Sequence, residues 1–588
     1  MKIDASEQRT DNIYELLEFY PKPPLISENA FDEVDAINNS NSNLFQRFLL
    51  KLFFVMSNYK TFKKNISQGM EEKLRKTDNQ SGILFAPLVS ATLSIIDDSR
   101  NLVPAERAAT LVLGARMFYN DLLKGKLEPD LLDGQILEMG QYPNCFSTSQ
   151  VIYNKKVCLY KSKKTSQITV IVNKRFFVTD IGTIHSPIKV NDLKMIFDEI
   201  INYSKNNSVD GDYNSPGRLT CASNKTQKRI FGELREIEEN NEYLEEMKNS
   251  FLVVCLDLDQ SPESDSESTR VAHIGNVDNR WYHSSLQLIV FGNSKASIVF
   301  NFSNNISGNI MMRVASEIQK KATEFLIKEN DKNEHIKFTY KELPWKIKSE
   351  YIAKANLEIN QILDVQESTF YINNINRQFF SDKKINPISI FILALQMAIR
   401  KTTFKDMKIT QFVSLSKFRC LDLTTAVVTT KENLEFLDAV NRNDISKNEL
   451  INSLTLAIKS QQIEIRKARK TFPVIYQILF YIQSSLGLKR IYLIILFNIL
   501  KILLRLSGFF KDKKREVIVS HPTIYSEVPV LGRPGIKIPY IKYFGLHYQI
   551  KKQNILITMM PGMKWKVPNK KFIEELEKSL FIIKRILE

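Results

Sequence analysis

The clearest signal along the chain is the switching of its hydrophobic period. In PAERAATLVLGARMFYNDLLKGKL, apolar residues recur at helical spacing; Pro104 sits at a start position and Gly125 near the stop, so a helix is predicted. From 151 to 181 the pattern becomes strand-like, in VIYNKKVCLY, SQITVIV and RFFVTDI, before KVNDLKMIFDEIINYSK returns to helix. Leu286, Leu288 and Val290 then alternate along one strand, a Gly-Asn-Ser-Lys turn follows, and a second strand ends at Phe302. Helices are predicted over 309–330 and in PISIFILALQMAIRK. Strands are predicted at 409–414, 424–430, 516–519 and 553–559, helices between them to about 510, and a last helix in PNKKFIEELEKSLFIIKRILE. Residues 28–78 and 86–126 read as helix-rich. The polar stretches at 206–217 and 258–270 read as loops. Alternation sustained over the whole length implies an α/β protein with helices covering mixed sheets.

The apolar segment IYLIILFNILKILLRLSGFF changes little in this picture. Its longest uncharged run, Ile491 to Leu500, is broken by Lys501 and Arg505, well short of the about 20 residues a spanning helix needs. A buried amphipathic helix is the expectation. An in-plane membrane helix over 488–515, with Lys489, Arg490, Lys501 and Arg505 at the interface and the basic run KDKKR behind it, is the alternative.

Composition narrows the class. With 588 residues, 43% hydrophobic and 25% charged, the chain can build large cores. Five widely spaced cysteines without a CxxC speak against disulfides and a zinc site, and fit a reducing compartment. The net charge of +17 is spread along the chain; a nucleic-acid footprint would cluster, so none is expected. The beginning of the sequence has acidic residues and no apolar run of a signal peptide, and its end carries no peroxisomal tripeptide.

The residues then carry a resemblance. The Pro-rich YPKPPLIS, the helix beginning PAERAATLVLGAR, the segment GQYPNCFSTSQ, NRW followed by SLQLIV, the ALQ helix at PISIFILALQMAIRK, and LGLKRIYLIILF together resemble the choline/carnitine acyltransferase family over nearly the whole chain. The resemblance implies a monomer of two similar α/β domains, each a mixed sheet flanked by helices, with an active-site tunnel between them. It places an N-terminal segment at 1–25 and helix-rich parts at about 26–110 and 310–380. The first lobe falls at 111–309 and the second at about 385–588. Coenzyme A and carnitine, or another small alcohol, would meet in the tunnel, with no cofactor or metal required. A histidine would act as base, a Ser-Thr-Ser run would hold the oxyanion, and an arginine would pair with a carboxylate.

Carried over position by position, most of that chemistry is missing. The base position is Phe302, and the acidic residue four places on is Ile306. The Ser-Thr-Ser positions are Val530, Leu531 and Gly532. The tyrosine facing the carboxylate is Thr410, the Gly-Arg-Thr is Leu421, Asp422 and Leu423, and the Pro-Asp is Pro387-Ile388. Pro143 and Gln150 replace family arginines, and the Ser147–Ser149 run is not the family's catalytic one. Arg490 survives as a candidate partner for a substrate carboxylate, with a helix-face ion pair as its plain alternative. Lys383 and Lys384 survive as candidates for the coenzyme A phosphates, with solvated loop charges as theirs. His283 is the candidate for a relocated base, against a structural role; His273, His521 and His547 show no partner pattern. The expectation is a diverged member with impaired or no catalysis, in the cytoplasm or at an organelle surface, with coenzyme A or acyl-coenzyme A as a possible ligand. An active acyltransferase with a relocated base and an altered acceptor is one alternative. A scaffold or peripheral membrane protein is the other.

Overall fold

The computed structural model describes residues 20–588 apart from 41, 65–83, 85, 184–185, 208–213, 327–338, 374, 420, 508–514 and 523–531. The first sheet holds β1 (Ser90–Ser94), β2 (Gln167–Val172), β3 (Arg175–Asp180), β4 (Val253–Asp257), β5 (Leu286–Phe291), β6 (Ala296–Asn301) and β7 (Tyr340–Glu342). Their order across the sheet is β1-β6-β5-β4-β2-β3-β7. β4 runs parallel to β2 and β5, and the remaining pairs are antiparallel. Every residue of β5 and β6 is buried, because both faces are covered. Leu286, Leu288 and Val290 enter a core built with helices α1 (Pro104–Leu123) and α2 (Gly308–Ala322), whereas Ile289 and Phe291 enter the core on the opposite face. Gly114 lets α1 and α2 touch: a Cβ there would lie 2.6 Å from the Ile318 carbonyl oxygen.

The second sheet holds β8 (Thr369–Asn373), β9 (Ile409–Ser414), β10 (Leu423–Val427), β11 (Arg515–Ser520), β12 (Ile541–Ile550) and β13 (Asn554–Pro561), in the order β8-β13-β12-β11-β9-β10. It is again mixed, with β11 parallel to β9 and β12. Helices α3 (Pro387–Thr403), α4 (Lys447–Lys470) and α5 (Asn569–Leu587) bury their apolar faces against it. Pro387 begins α3 behind Asn386, whose Oδ1 accepts from the Ile388 and Ser389 amides. The fold is therefore α/β, two similar domains, each a mixed sheet flanked by helices.

Three findings differ from the sequence expectation. Ser90–Ser94 is an edge strand of the first sheet inside a stretch expected to be helix-rich. Thr369–Asn373 joins the second sheet ahead of the expected boundary near 385. The acidic, Ser-rich segment expected as loop contains a helix, Asp265–Arg270, because Ser264 Oγ caps it by accepting from the Glu267 amide.

A third body of helices lies apart from both sheets. Leu44–Met56, Val474–Ser484 and Gly487–Leu506 pack together around Leu50, Phe53, Ile478, Tyr481, Leu493 and Leu500. The apolar segment expected to be buried is only partly so: Leu493, Leu496, Leu500 and Leu504 face inward, and the rest of that helix is largely exposed. Lys511, Lys513 and Lys514 of the basic run lie outside the described residues. No helix among the described residues is long and apolar enough to cross a membrane.

Candidate functional site

β1 reaches across to the second lobe, where the Thr92 amide donates to the Gly532 carbonyl at 3.1 Å. Leu363 and Ile536 form a second crossing, an isolated bridge. Beside these contacts a cavity of about 660 Å³ opens between the lobes. The first lobe contributes Phe302, the start of α2 and Met312. The second contributes one face of β9, the ends of β11 and β12, and the face of α4 that bears Arg466 and Arg469.

The local chain dictates why position 302 faces this space. β6 ends at Asn301, whose Oδ1 accepts from the Ser303 amide at 2.9 Å and bends the backbone into a short turn. Asn305 closes the turn in the left-handed conformation, φ +58°, which asparagine tolerates better than most residues. The Phe302 ring is left at the cavity wall with the Arg533 guanidinium 5.4 Å above it. Arg533 Nη1 donates to the Tyr540 hydroxyl at 2.6 Å. Ile306 points the other way, into the core of the first lobe.

The other sequence candidates lie elsewhere. His283 is buried against Phe231 and Trp281, with ring centroids 4.9 and 5.2 Å away, and its Nε2–H donates to Gln227 Oε1 at 2.7 Å. It lines a small separate pocket and takes no part in the interlobe cavity; a relocated base at His283 does not fit this geometry. Burial holds its imidazole down to about 3, hence neutral. Arg490 stands on Gly487–Leu506, away from the cavity wall. Lys383 and Lys384 are exposed just before α3; Lys383 Nζ donates to the Leu587 carbonyl at 3.1 Å. Neither lysine lines the cavity, although Asn386 and Ile388 just beyond them do. Val530 and Leu531 lie outside the described residues.

The chemistry-bearing residues that do line the cavity come from the second lobe. His547 Nδ1 and Ser520 Oγ are 2.9 Å apart across the β11–β12 pair, and His547 Nε2 is buried with no partner among the described residues. Burial, aided by neighbouring His521, pushes His547 down to about 3. His521 Nδ1–H donates to the Pro522 carbonyl, and its Nε2 accepts from Gln411 Nε2 at 3.2 Å. Desolvation lowers its affinity for a proton as well. Asp422 sits in the same wall, and burial raises its carboxyl to about 7. Around these groups, among the described residues, the cavity carries Lys417, Arg466, Arg469, Arg515 and Arg533 against the single carboxylate of Asp422. Lys417 pairs with Asp133. The four arginines make no ion pair among the described residues, and the Arg515 guanidinium lies 5.6 Å over the Phe412 ring. Among the described residues no group of three His, Cys, Asp or Glu is placed to hold a metal ion.

Sequence reasoning missed this second-lobe set because IKYFGLHYQI does not announce itself as a strand. Once β12 is seen pairing with β11, His547 falls opposite Ser520 in the register.

The sequence profile of the choline/carnitine O-acyltransferases matches residues 85–578. Similar proteins include carnitine O-acetyltransferase of Columba livia, 23% identical over 67% of this chain and 67% of that one. The human carnitine O-acetyltransferase is 21% identical over 68% and 67%. Among solved structures, a trichothecene 15-O-acetyltransferase from Fusarium sporotrichioides covers 86% of this chain and 93% of its own, with a TM-score of 0.41 and 8% identity. On the family match, this chain belongs to the choline/carnitine O-acyltransferase family.

Proposed function

We propose that the interlobe cavity binds an acyl thioester of the acyl-coenzyme A class, and that transfer of the acyl group to carnitine or a similar alcohol is impaired. The observation that carries this reading is Phe302 at the end of β6, where the family resemblance puts the base and where no group can accept a proton. Loss of a general base costs about 10²–10⁴ in rate. The imidazoles across the cavity do not replace it, since an imidazole held near 3 is a weak base at neutral pH. Binding is supported by charge and shape. Four arginines that make no ion pair among the described residues suit the phosphates of a coenzyme A, and Met312, Leu546 and Met560 offer an apolar wall to an acyl chain. On this reading the chain acts as a monomer in the cytoplasm or at an organelle surface.

One observation favours a second reading. Asp422 titrates near neutrality in the same wall, so it is matched to taking a proton from a bound alcohol. The alkoxide oxygen would then bond to the thioester carbonyl carbon, the carbon–sulfur bond would break, and the proton would pass to the departing thiolate. Calorimetric titration with coenzyme A, acetyl-coenzyme A, a long-chain acyl-coenzyme A and carnitine, with thiol release followed on the same sample, separates the two. Binding without release supports the first reading. Release that disappears in Asp422→Asn supports the second. No binding of any thioester overturns both.

A further inference from the structure

The helices Leu44–Met56 and Gly487–Leu506 lie side by side and antiparallel. Gln46 Nε2 donates to the Ser507 carbonyl at one end, the Tyr492 hydroxyl donates to the Met56 carbonyl at the other, and Phe53 meets Phe497 between them. Each helix carries apolar residues on both its inward and its outward side. Inward they present Leu50, Phe53, Leu493 and Leu500 to a shared core. Outward, Phe48 is 58% exposed, Val55 76%, Leu488 86% and Ile495 55%, with Ile499 and Ile502 similarly open. An exposed apolar face of this extent marks an interaction surface.

Charge identifies the partner. Leu44–Met56, Val474–Ser484 and Gly487–Leu506 contain no aspartate or glutamate, in a chain with 65 of them. The cations are Arg47, Lys51, Lys489, Arg490, Lys501 and Arg505. At about 100° per residue, Arg490, Lys501 and Arg505 fall along one flank of the exposed arc of the second helix, whereas Lys489 extends the inward stripe of Leu493 and Leu500 at the start of the helix, its Nζ 5.3 Å over the Tyr481 ring. That is the layout of a helix lying in a membrane interface, its apolar face among acyl chains and its basic side chains reaching up to headgroups. A second copy would bring the same cations against themselves. We propose that this two-helix face docks on the surface of a bilayer containing anionic phospholipid. Leu44–Met56 lies outside the stretch matched by the family profile. The proposal is independent of what the interlobe cavity binds.

Co-sedimentation of the full chain with vesicles of phosphatidylcholine alone, and of phosphatidylcholine mixed with phosphatidylglycerol, tests it. Pelleting with the mixed vesicles that weakens with added salt is expected, with far less on phosphatidylcholine. Lys501→Ala and Arg505→Ala should each lower partitioning about fivefold. The pair Ile495→Asp and Ile499→Asp should abolish it without moving the unfolding midpoint, because both side chains are exposed in the folded chain. No pelleting with the mixed vesicles overturns the proposal. So does a dimer in light scattering that those aspartates dissociate, which would assign the face to a second copy.

Discussion

Arg280 and Asp257 are both fully enclosed, and the guanidinium forks onto the carboxylate at 2.7 and 3.0 Å. The remaining donors of Arg280 reach the carbonyls of Val271, Ala272 and Asn279, while Asn279 Nδ2 donates to Asp257 Oδ1 at 2.9 Å. The NRW motif is thus a closed polar knot holding β4, the turn at 271–275 and the start of β5 together. Removing one partner leaves an uncompensated buried charge, so Asp257→Ala should cost about 3–5 kcal/mol in denaturant unfolding. Replacing both, as Asp257→Leu with Arg280→Met, should recover much of that loss, and equal losses in the single and double variants would refute the coupling. Phe302 presents the opposite case, a phenyl ring at the position where the family resemblance puts a base. Phe302→His restores an imidazole at the cavity wall beside Arg533. It should raise thiol release from acetyl-coenzyme A in the presence of carnitine about a hundredfold, the low end of what a positioned base contributes. An unchanged rate would mean that the base was not what limits the reaction.

At the scale of elements, close packing decides what the chain tolerates. The nearest atoms to a Cβ on Gly114 are backbone atoms of α2, the Ile318 oxygen at 2.6 Å and the Ala322 nitrogen at 2.9 Å. Backbone cannot rotate aside as a side chain would. Gly114→Val should therefore lose about 1–3 kcal/mol through separation of α1 and α2, more than the few tenths returned by better helix propensity. A thermal midpoint at or above that of the wild type would contradict this. The same elements show what was legible beforehand. α3 announced itself through Pro387 and an apolar run, and β5 and β6 through alternation around a Gly-Asn turn. β1 did not: SATLS alternates Ala91 and Leu93 with small polar residues that are buried because the segment 265–273 covers them, Thr92 Oγ1 meeting His273 Nδ1 and Ser94 Oγ donating to Asp265. β12 was hidden by Lys542, Gly545 and His547: Lys542 pairs with Glu516 of β11, and Gly545 and His547 face the cavity instead of solvent. The place of Phe302 at the end of β6 was readable because it sits in a local motif. The second-lobe set was not, since Asp422, His521 and His547 come to line one cavity only through the long-range pairing of β9 with β10 and β11, and of β11 with β12. The helix at Gly487–Leu506 was legible as amphipathic, but which of its two apolar faces is covered depends on Leu44–Met56, from the far end of the sequence.

For the whole molecule, buried titratable groups fix how stability responds to pH. His273, His283 and His547 are each held near 3 by burial, against 6.5 in the unfolded chain. Between those values the unfolded chain binds a proton on each that the folded chain refuses, so their contribution is complete above pH 6.5 and is lost as the pH falls toward 3. His521, lowered by desolvation, acts in the same direction. Asp422 opposes them. Its folded carboxyl titrates near 7 against 3.8 unfolded, so the folded chain holds the extra proton, and stability is lost as the pH rises through that window. Three protons against one leave a net difference of about two from roughly pH 6.5 down to pH 4, a slope of about 2.7 kcal/mol per pH unit. Over that range the slope removes about 7 kcal/mol, a large part of the about 5–15 kcal/mol a domain holds, so the unfolding midpoint is expected to fall steeply between pH 6.5 and pH 4. Asp422→Asn removes the opposing proton. It should steepen the fall below pH 6.5 by about 1.4 kcal/mol per unit and raise the unfolding midpoint at pH 8, where the wild-type carboxylate must be carried ionised inside the cavity wall. Midpoints measured from pH 8 to pH 4 on both proteins decide it: parallel curves would mean that Asp422 is ionised freely at the cavity mouth, and the second reading of the site would lose its base.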